Sequence, residues 1–169
     1  MFKSVRLAPL FLCLFALPAL AQEGAPLFTT DFAPEEFAAR RERVLDAVGP
    51  NAVVVLQGEP SPRGYVRFRQ SNEFYYLSGI EVPHAYLVLD GDTRRSTLFL
   101  PHGDARRESS EGRMLSADHP ELVQELSGLT VAPAEALSGY LTGLARRGGV
   151  NALYTLFQPA EGLAESRDL

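Results

Sequence analysis

The chain has 169 residues, 46% of them hydrophobic, with a single cysteine and a formal net charge of −5. This is the make-up of an ordinary globular domain, not of a disulfide scaffold or a disordered chain. The 21 acidic residues outnumber the 16 basic ones, which argues against a nucleic-acid partner, because phosphate neutralisation needs a basic surface.

Residues 1–21 carry Lys3 and Arg6, an apolar run Leu7–Leu17 and a small-residue end, Ala19-Leu20-Ala21. That three-part order predicts a secretory signal peptide cleaved before Gln22. The apolar run of about eleven residues is short of the roughly 20 needed to span a bilayer. The expected product is secreted or periplasmic, with no membrane attachment after cleavage. Cys13 sits inside the run, preceded by Leu12 instead of the small residue a lipoprotein site wants. The mature chain is then expected to have no thiol or disulfide chemistry. Residues 22–31 read as a flexible lead, 32–157 as one domain and 158–169 as a tail or linker.

Thr30 or Asp31 is placed to cap a first helix, whose opening turn holds Pro34, Glu35 and Glu36. Phe37, Val44, Leu45 and Val48 share a face, Arg40, Arg41 and Arg43 are assigned to the exposed side, and Gly49-Pro50 stops the helix. Ala52 to Leu56 predicts a strand buried on both faces. Residues 59–64 predict a loop by their Pro and Gly content. Within the next segment, Asn72 to Leu77 fits a short helix or a strand. Ala85 to Leu89 and Ser96 to Leu100 predict a hairpin around Asp90-Gly91-Asp92. Pro101 to Met114 reads as a long loop. A helix follows His119-Pro120 to about Leu126, then a short strand at Leu129 to Val131. A helix over 134–146 ends at Gly148-Gly149, and Val150 to Phe157 forms a last strand. Interleaved helices and strands with one hairpin predict a layered α/β/α domain with a mixed sheet.

Candidate chemistry is sparse. The three histidines are His84, His102 and His119. His102 shares its predicted loop with Asp104, Glu108 and Glu111, which makes that loop the best metal candidate by ligand type. Glu108 and Glu111 are a candidate carboxylate pair, although spacing alone cannot fix their separation. Ser109 and Ser110 have no base in view, and no glycine motif fits a phosphate loop. The residues alone therefore point to no active site. The strongest motif is Arg67-Phe68-Arg69-Gln70-Ser71-Asn72-Glu73-Phe74-Tyr75-Tyr76-Leu77-Ser78-Gly79-Ile80-Glu81-Val82-Pro83. Arg69 is expected in a buried pair with Glu73 or Glu81 beneath an aromatic layer.

The order Arg-Phe-Arg-Gln, three residues, Phe-Tyr-Tyr-Leu-Ser-Gly, then Glu-Val-Pro-His-Ala-Tyr-Leu-Val-Leu resembles the amino-terminal domain of the aminopeptidase P family (Xaa-Pro aminopeptidases and prolidases). Phe37 with Arg40-Arg41, Val53 to Leu56, and Leu98 to Pro101 with Glu108 and Gly112 extend the resemblance. Ser109-Ser110-Glu111 departs from it, where an aromatic is common. The resemblance implies Arg69, Gln70, Phe74, Tyr75, Tyr76, Leu77, Gly79 and Pro83 as a structural or interface signature, with no catalytic or metal-ligating residue in this chain. It further implies a carboxy-terminal catalytic domain of pita-bread fold as partner. That domain would hold two manganese ions and release the residue preceding proline from a peptide substrate. A homo-oligomer is expected of the full-length protein. Three readings follow: the leading domain of such an enzyme, truncated before its catalytic part; a stand-alone binding or oligomerisation module; and an unrelated hydrolase using the 102–111 loop.

Overall fold

Alternation along the strands sets the architecture. The computed structural model describes residues 27–64 and 66–156. The expected signal peptide, the start of the lead, Phe157 and the 158–169 tail lie outside the described residues. Strands β1 (Ala52–Gln57), β2 (Tyr86–Asp90), β3 (Arg95–Leu100), β4 (Thr130–Pro133) and β5 (Ala152–Thr155) form one sheet in the order β4-β3-β2-β1-β5. The β1–β2 and β2–β3 pairs are antiparallel, and β3–β4 and β1–β5 are parallel.

Successive strand residues point to opposite faces, and both faces are covered. Val54, Leu56, Leu87, Leu89, Leu98 and Leu100 pack on one side against helices α1 (Pro34–Val48), α2 (Asn72–Ser78) and α4 (Pro120–Ser127). Those helices supply Phe37, Leu45, Phe74, Leu77 and Val123 to that core. On the other side Val53, Tyr86, Val88 and Phe99 meet Leu137 and Leu144 of α5 (Leu137–Arg147). Tyr140 of α5 sets its ring edge-on to Phe99 at 5.3 Å. The predicted α/β/α layering with a mixed sheet is what the chain adopts.

Several local expectations are corrected. The Pro101–Met114 segment is not all loop, because helix α3 runs over Ala105–Glu111. Asp104 caps it by accepting from the backbone N–H groups of Arg106 and Arg107 at 3.0 and 3.2 Å. An Arg107–Glu111 pair at 2.9 Å braces its flank. No α3 residue is buried, so the segment has no apolar stripe from which to read a helix. Helix α1 has Ala33 at its N-cap and no side-chain cap, so neither Thr30 nor Asp31 serves there. Pro34 and the acidic pair Glu35 and Glu36 start it instead. Within the lead, Phe28 is only 9% exposed and packs edge-on to Phe37 at 5.8 Å.

One polar link ties the second layer to the sheet. Asp90 at the end of β2 is buried and takes both arms of the Arg147 guanidinium at 2.9 Å each. The Thr93 hydroxyl and the Asp92 N–H also donate to it, at 2.7 and 3.1 Å. Burial pushes the Asp90 carboxyl up, but the bonds from Arg147 and Thr93 outweigh it and hold the group below its ordinary value. A depressed carboxyl contributes stability that is present above its unfolded value and is lost as pH falls through the folded one. Asp90→Ala is expected to cost about 2–3 kcal/mol in urea unfolding, since the bonds it removes are charge-assisted. Asp90→Asn should flatten the loss of stability on acidification below about pH 4.

Candidate functional site

The signature segment lies where α1 crosses α2, and its geometry begins with helix ends. The last carbonyls of a helix have no partner within it. In α2 two of these are met by arginines from α1. Arg40 Nη1 donates to the Tyr76 carbonyl at 3.1 Å, and Arg41 Nη1 donates to that of Leu77 at 2.9 Å. Cations at this end also suit the helix dipole. Arg40 continues to Glu36 Oε1 at 2.5 Å. Its guanidinium stacks on Tyr76, Phe32 and Phe37, with centroid distances of 4.4, 4.7 and 5.0 Å. Arg41 is 4% exposed. Burial lowers its pKa to about 10, with Glu42 opposing, so it stays charged at neutral pH. The assignment of Arg40 and Arg41 to the exposed face is therefore corrected. Positions 37, 40, 41, 44, 45 and 48 follow one helical stripe, and the two arginines sit within it.

The amino end of α2 is fixed by Ser71, whose hydroxyl accepts from the Phe74 N–H at 3.4 Å. Its carboxyl end closes on Gly79 at φ 69°, with the Gly79 N–H on the Tyr75 carbonyl at 2.8 Å. A Cβ at Gly79 would come within 2.8 Å of the Phe28 and Phe37 rings, so this position needs glycine for both conformation and space. Asn72 to Leu77, left open between helix and strand, is thus helical.

Gln70 is buried and works as a three-way staple. Its Oε1 accepts from the N–H groups of Glu59 and Ser71 at 2.6 and 3.0 Å, and its Nε2 donates to the Val82 carbonyl at 3.1 Å. Phe74 and Leu77 enter the core, Pro83 is buried, and Tyr75 sets its ring edge against Phe37 at 6.1 Å. Tyr76 stands exposed, with its hydroxyl accepting from Arg43 at 3.4 Å. Arg69 departs from expectation. Its side chain is 65% exposed, it reaches Glu81 only at 3.4 Å, and Glu73 is not its ion-pair partner. Both groups keep their water, so no buried knot forms there. The buried arginines belong to α1, outside the motif.

The 102–111 loop does not assemble as a ligand set. Asp104 caps α3, Glu111 pairs with Arg107, and Glu108 accepts from the Met114 N–H at 3.2 Å. His102 turns instead to Asp118 and Glu135, one at each ring nitrogen. Among the described residues no three or more His, Cys, Asp or Glu side chains gather as a metal ion requires. These residues do not fit the manganese pair that the resemblance implies. Arg67 and Phe68, with Val66, Glu81, Glu111 and Met114, line an open cleft of about 370 Å³.

The sequence profile described as "Aminopeptidase P, N-terminal domain" matches residues 37–154, from the first core residue of α1 into β5. The chain belongs to this family. It is 30% identical over 129 residues to a probable Xaa-Pro aminopeptidase of Pyricularia oryzae, covering 72% of this chain and 27% of that protein. It is 35% identical over 94 residues to the Xaa-Pro dipeptidase of Homo sapiens, covering 49% of this chain and 19% of that one. Aminopeptidase P from E. coli, solved with the inhibitor Pro-Leu, aligns at TM-score 0.63 and 26% identity over 79% of this chain and 31% of that one. The chain thus spans less than a third of the length of each of these relatives.

As an aminopeptidase P N-terminal domain, the chain rests on Arg41 rather than on Arg69. Arg41→Ala should lower unfolding stability by about 2–4 kcal/mol, through an unmet carbonyl and lost packing. Arg69→Ala should stay within about 0.5 kcal/mol. Urea midpoints of the two variants check the order, and equal costs would contradict it.

Proposed function

We propose that this chain is the non-catalytic leading domain of an exported Xaa-Pro aminopeptidase-like metallopeptidase. In this reading a carboxy-terminal domain outside the described residues holds two manganese ions and releases the residue that precedes proline. The observation that carries the reading is where the polar groups of the signature go. The amide of Gln70 and the hydroxyl of Ser71 bind the chain's own backbone, and Arg40 and Arg41 bind the end of α2. Groups engaged in this way support a scaffold and are not free to act on a peptide. Membership of the family and the chain's share of its relatives' length support the same view. The cleft beside Arg67 and Phe68 suits a wall of a peptide entrance completed by the catalytic domain. Export draws on the residue pattern of 1–21, and no helix among the described residues is long and apolar enough to cross a membrane.

A second reading, a stand-alone binding or oligomerisation module on the same fold, draws on the outer strand β5, where Leu153 and Tyr154 stand exposed.

The purified chain is expected to release no residue from an Xaa-Pro peptide, with or without added manganese, beyond a metal-only control. Turnover above that control, abolished in His102→Ala, would instead establish the 102–111 region as catalytic.

A further inference from the structure

His102 follows Pro101 at the end of β3, and its two ring nitrogens face two different carboxylates. Nδ1 lies 2.5 Å from Asp118 Oδ1, and Nε2 lies 2.8 Å from Glu135 Oε1. A neutral imidazole has one N–H and one lone pair, so it can donate to only one of them. At the other nitrogen, lone pair would meet carboxylate oxygen. Only the imidazolium donates to both at once. The arrangement therefore calls for the second ring proton on stereochemical grounds.

The two carboxylates belong to different layers. Asp118 sits in the turn that enters α4, on the first face of the sheet. Glu135 sits in the 3-10 turn Ala134–Ala136 that enters α5, on the second. We propose that His102 is a proton-operated clamp that holds the entries of α4 and α5 to the end of β3 and lets the α5 entry go when it loses its charge.

The two arms are unequal, which decides which one opens. Asp118 Oδ2 also accepts from the Gly103 N–H at 2.7 Å, and its Oδ1 shares the shorter contact with the ring. Among the described residues, His102 is the only side chain that bonds Glu135. The neutral ring keeps its one N–H on Asp118, and Glu135 is released. Leu137, which opens α5 and packs on Phe99 and its neighbours, lies two residues beyond. The charged groups facing this cluster are Asp118 and, acting on it, His119 from the turn before α4, and Glu135 from the 3-10 turn. Asp104, next in the loop, is turned away into the cap of α3. The bonds from Asp118 and Glu135 raise His102 above its ordinary value; His102 and the Gly103 N–H lower the Asp118 carboxyl, and the Glu135 backbone N–H, followed by His102, lowers that of Glu135. A raised imidazole contributes fully below its unfolded value, and the contribution is lost as pH rises through the folded one.

The test follows the His102 Cε1–H resonance of the purified chain by NMR from about pH 5 to about pH 9, assigned with His102→Gln. Amide exchange over residues 134–138 is measured at both ends and corrected for intrinsic rates. The expected midpoint lies above 6.5, and protection over 134–138 falls several-fold on crossing it. In the Asp118→Asn/Glu135→Gln double variant the midpoint should drop to 6.5 or below, and the step in protection should vanish. A wild-type midpoint at or below 6.5, or protection that does not change across the titration, would overturn the clamp even if the double variant failed to fold.

Discussion

Two guanidinium groups from α1 on the last carbonyls of α2 are the contact on which the rest of this domain leans. Helix α2 has seven residues, too few to hold together alone in water. Its carboxyl end is carried by Arg40, Arg41 and the left-handed turn at Gly79, and its amino end by Ser71. With both ends met, Phe74 and Leu77 are delivered into the core beside Phe37 and Leu45. Arginine suits the place because it stays protonated through burial and offers several donors in a fixed fork. Lysine would bring one compact ammonium and lose the stacking on Phe32, Phe37 and Tyr76.

The motif after this contact is built around backbone. Gln70 closes the loop between β1 and α2 by binding Glu59, Ser71 and Val82 in one stroke. The approach is so tight that a Cβ on Gly58 would come 2.6 Å from the Gln70 amide nitrogen and 3.0 Å from the Ala85 carbonyl. A segment that looks chemically rich in sequence is thus rich because it must satisfy irregular chain inside a core, where unmet polar groups are costly.

Much of this was legible beforehand. Strands β1, β2 and β3 show as apolar runs and β5 lies within its expected span, while β4 runs over Thr130–Pro133 instead of Leu129 to Val131; the turn at Asp90-Gly91-Asp92 and the stop at Gly148-Gly149 agree with expectation. The layering followed from those elements. What escaped had physical reasons. Arg40 and Arg41 lie on the same helical stripe as Phe37 and Val44, but charged side chains ordinarily face water, and their partners are backbone atoms that no residue pattern displays. Arg69 stands in sequence beside residues that enter the core, yet its own position leaves it in solvent. Helix α3 is all surface and is held by a cap and ion pairs, so hydrophobic periodicity could not reveal it. The meeting of His102 with Asp118 and Glu135 joins residues 16 and 33 positions apart, and only the folded chain brings them together.

The parallel pairing of β1 with β5 sets an order of events during synthesis. Ala52 pairs with Ala152 and Val53 with Leu153, so β1 gains its outer neighbour only when nearly the whole domain has emerged. Until then its outer flank is an open edge of valine and leucine, the kind of strand that recruits other chains. Closing so long a loop is also slow relative to forming the β2–β3 hairpin beside it. The arrival of β5 pairs that flank and passes the outer edge to Leu153 and Tyr154.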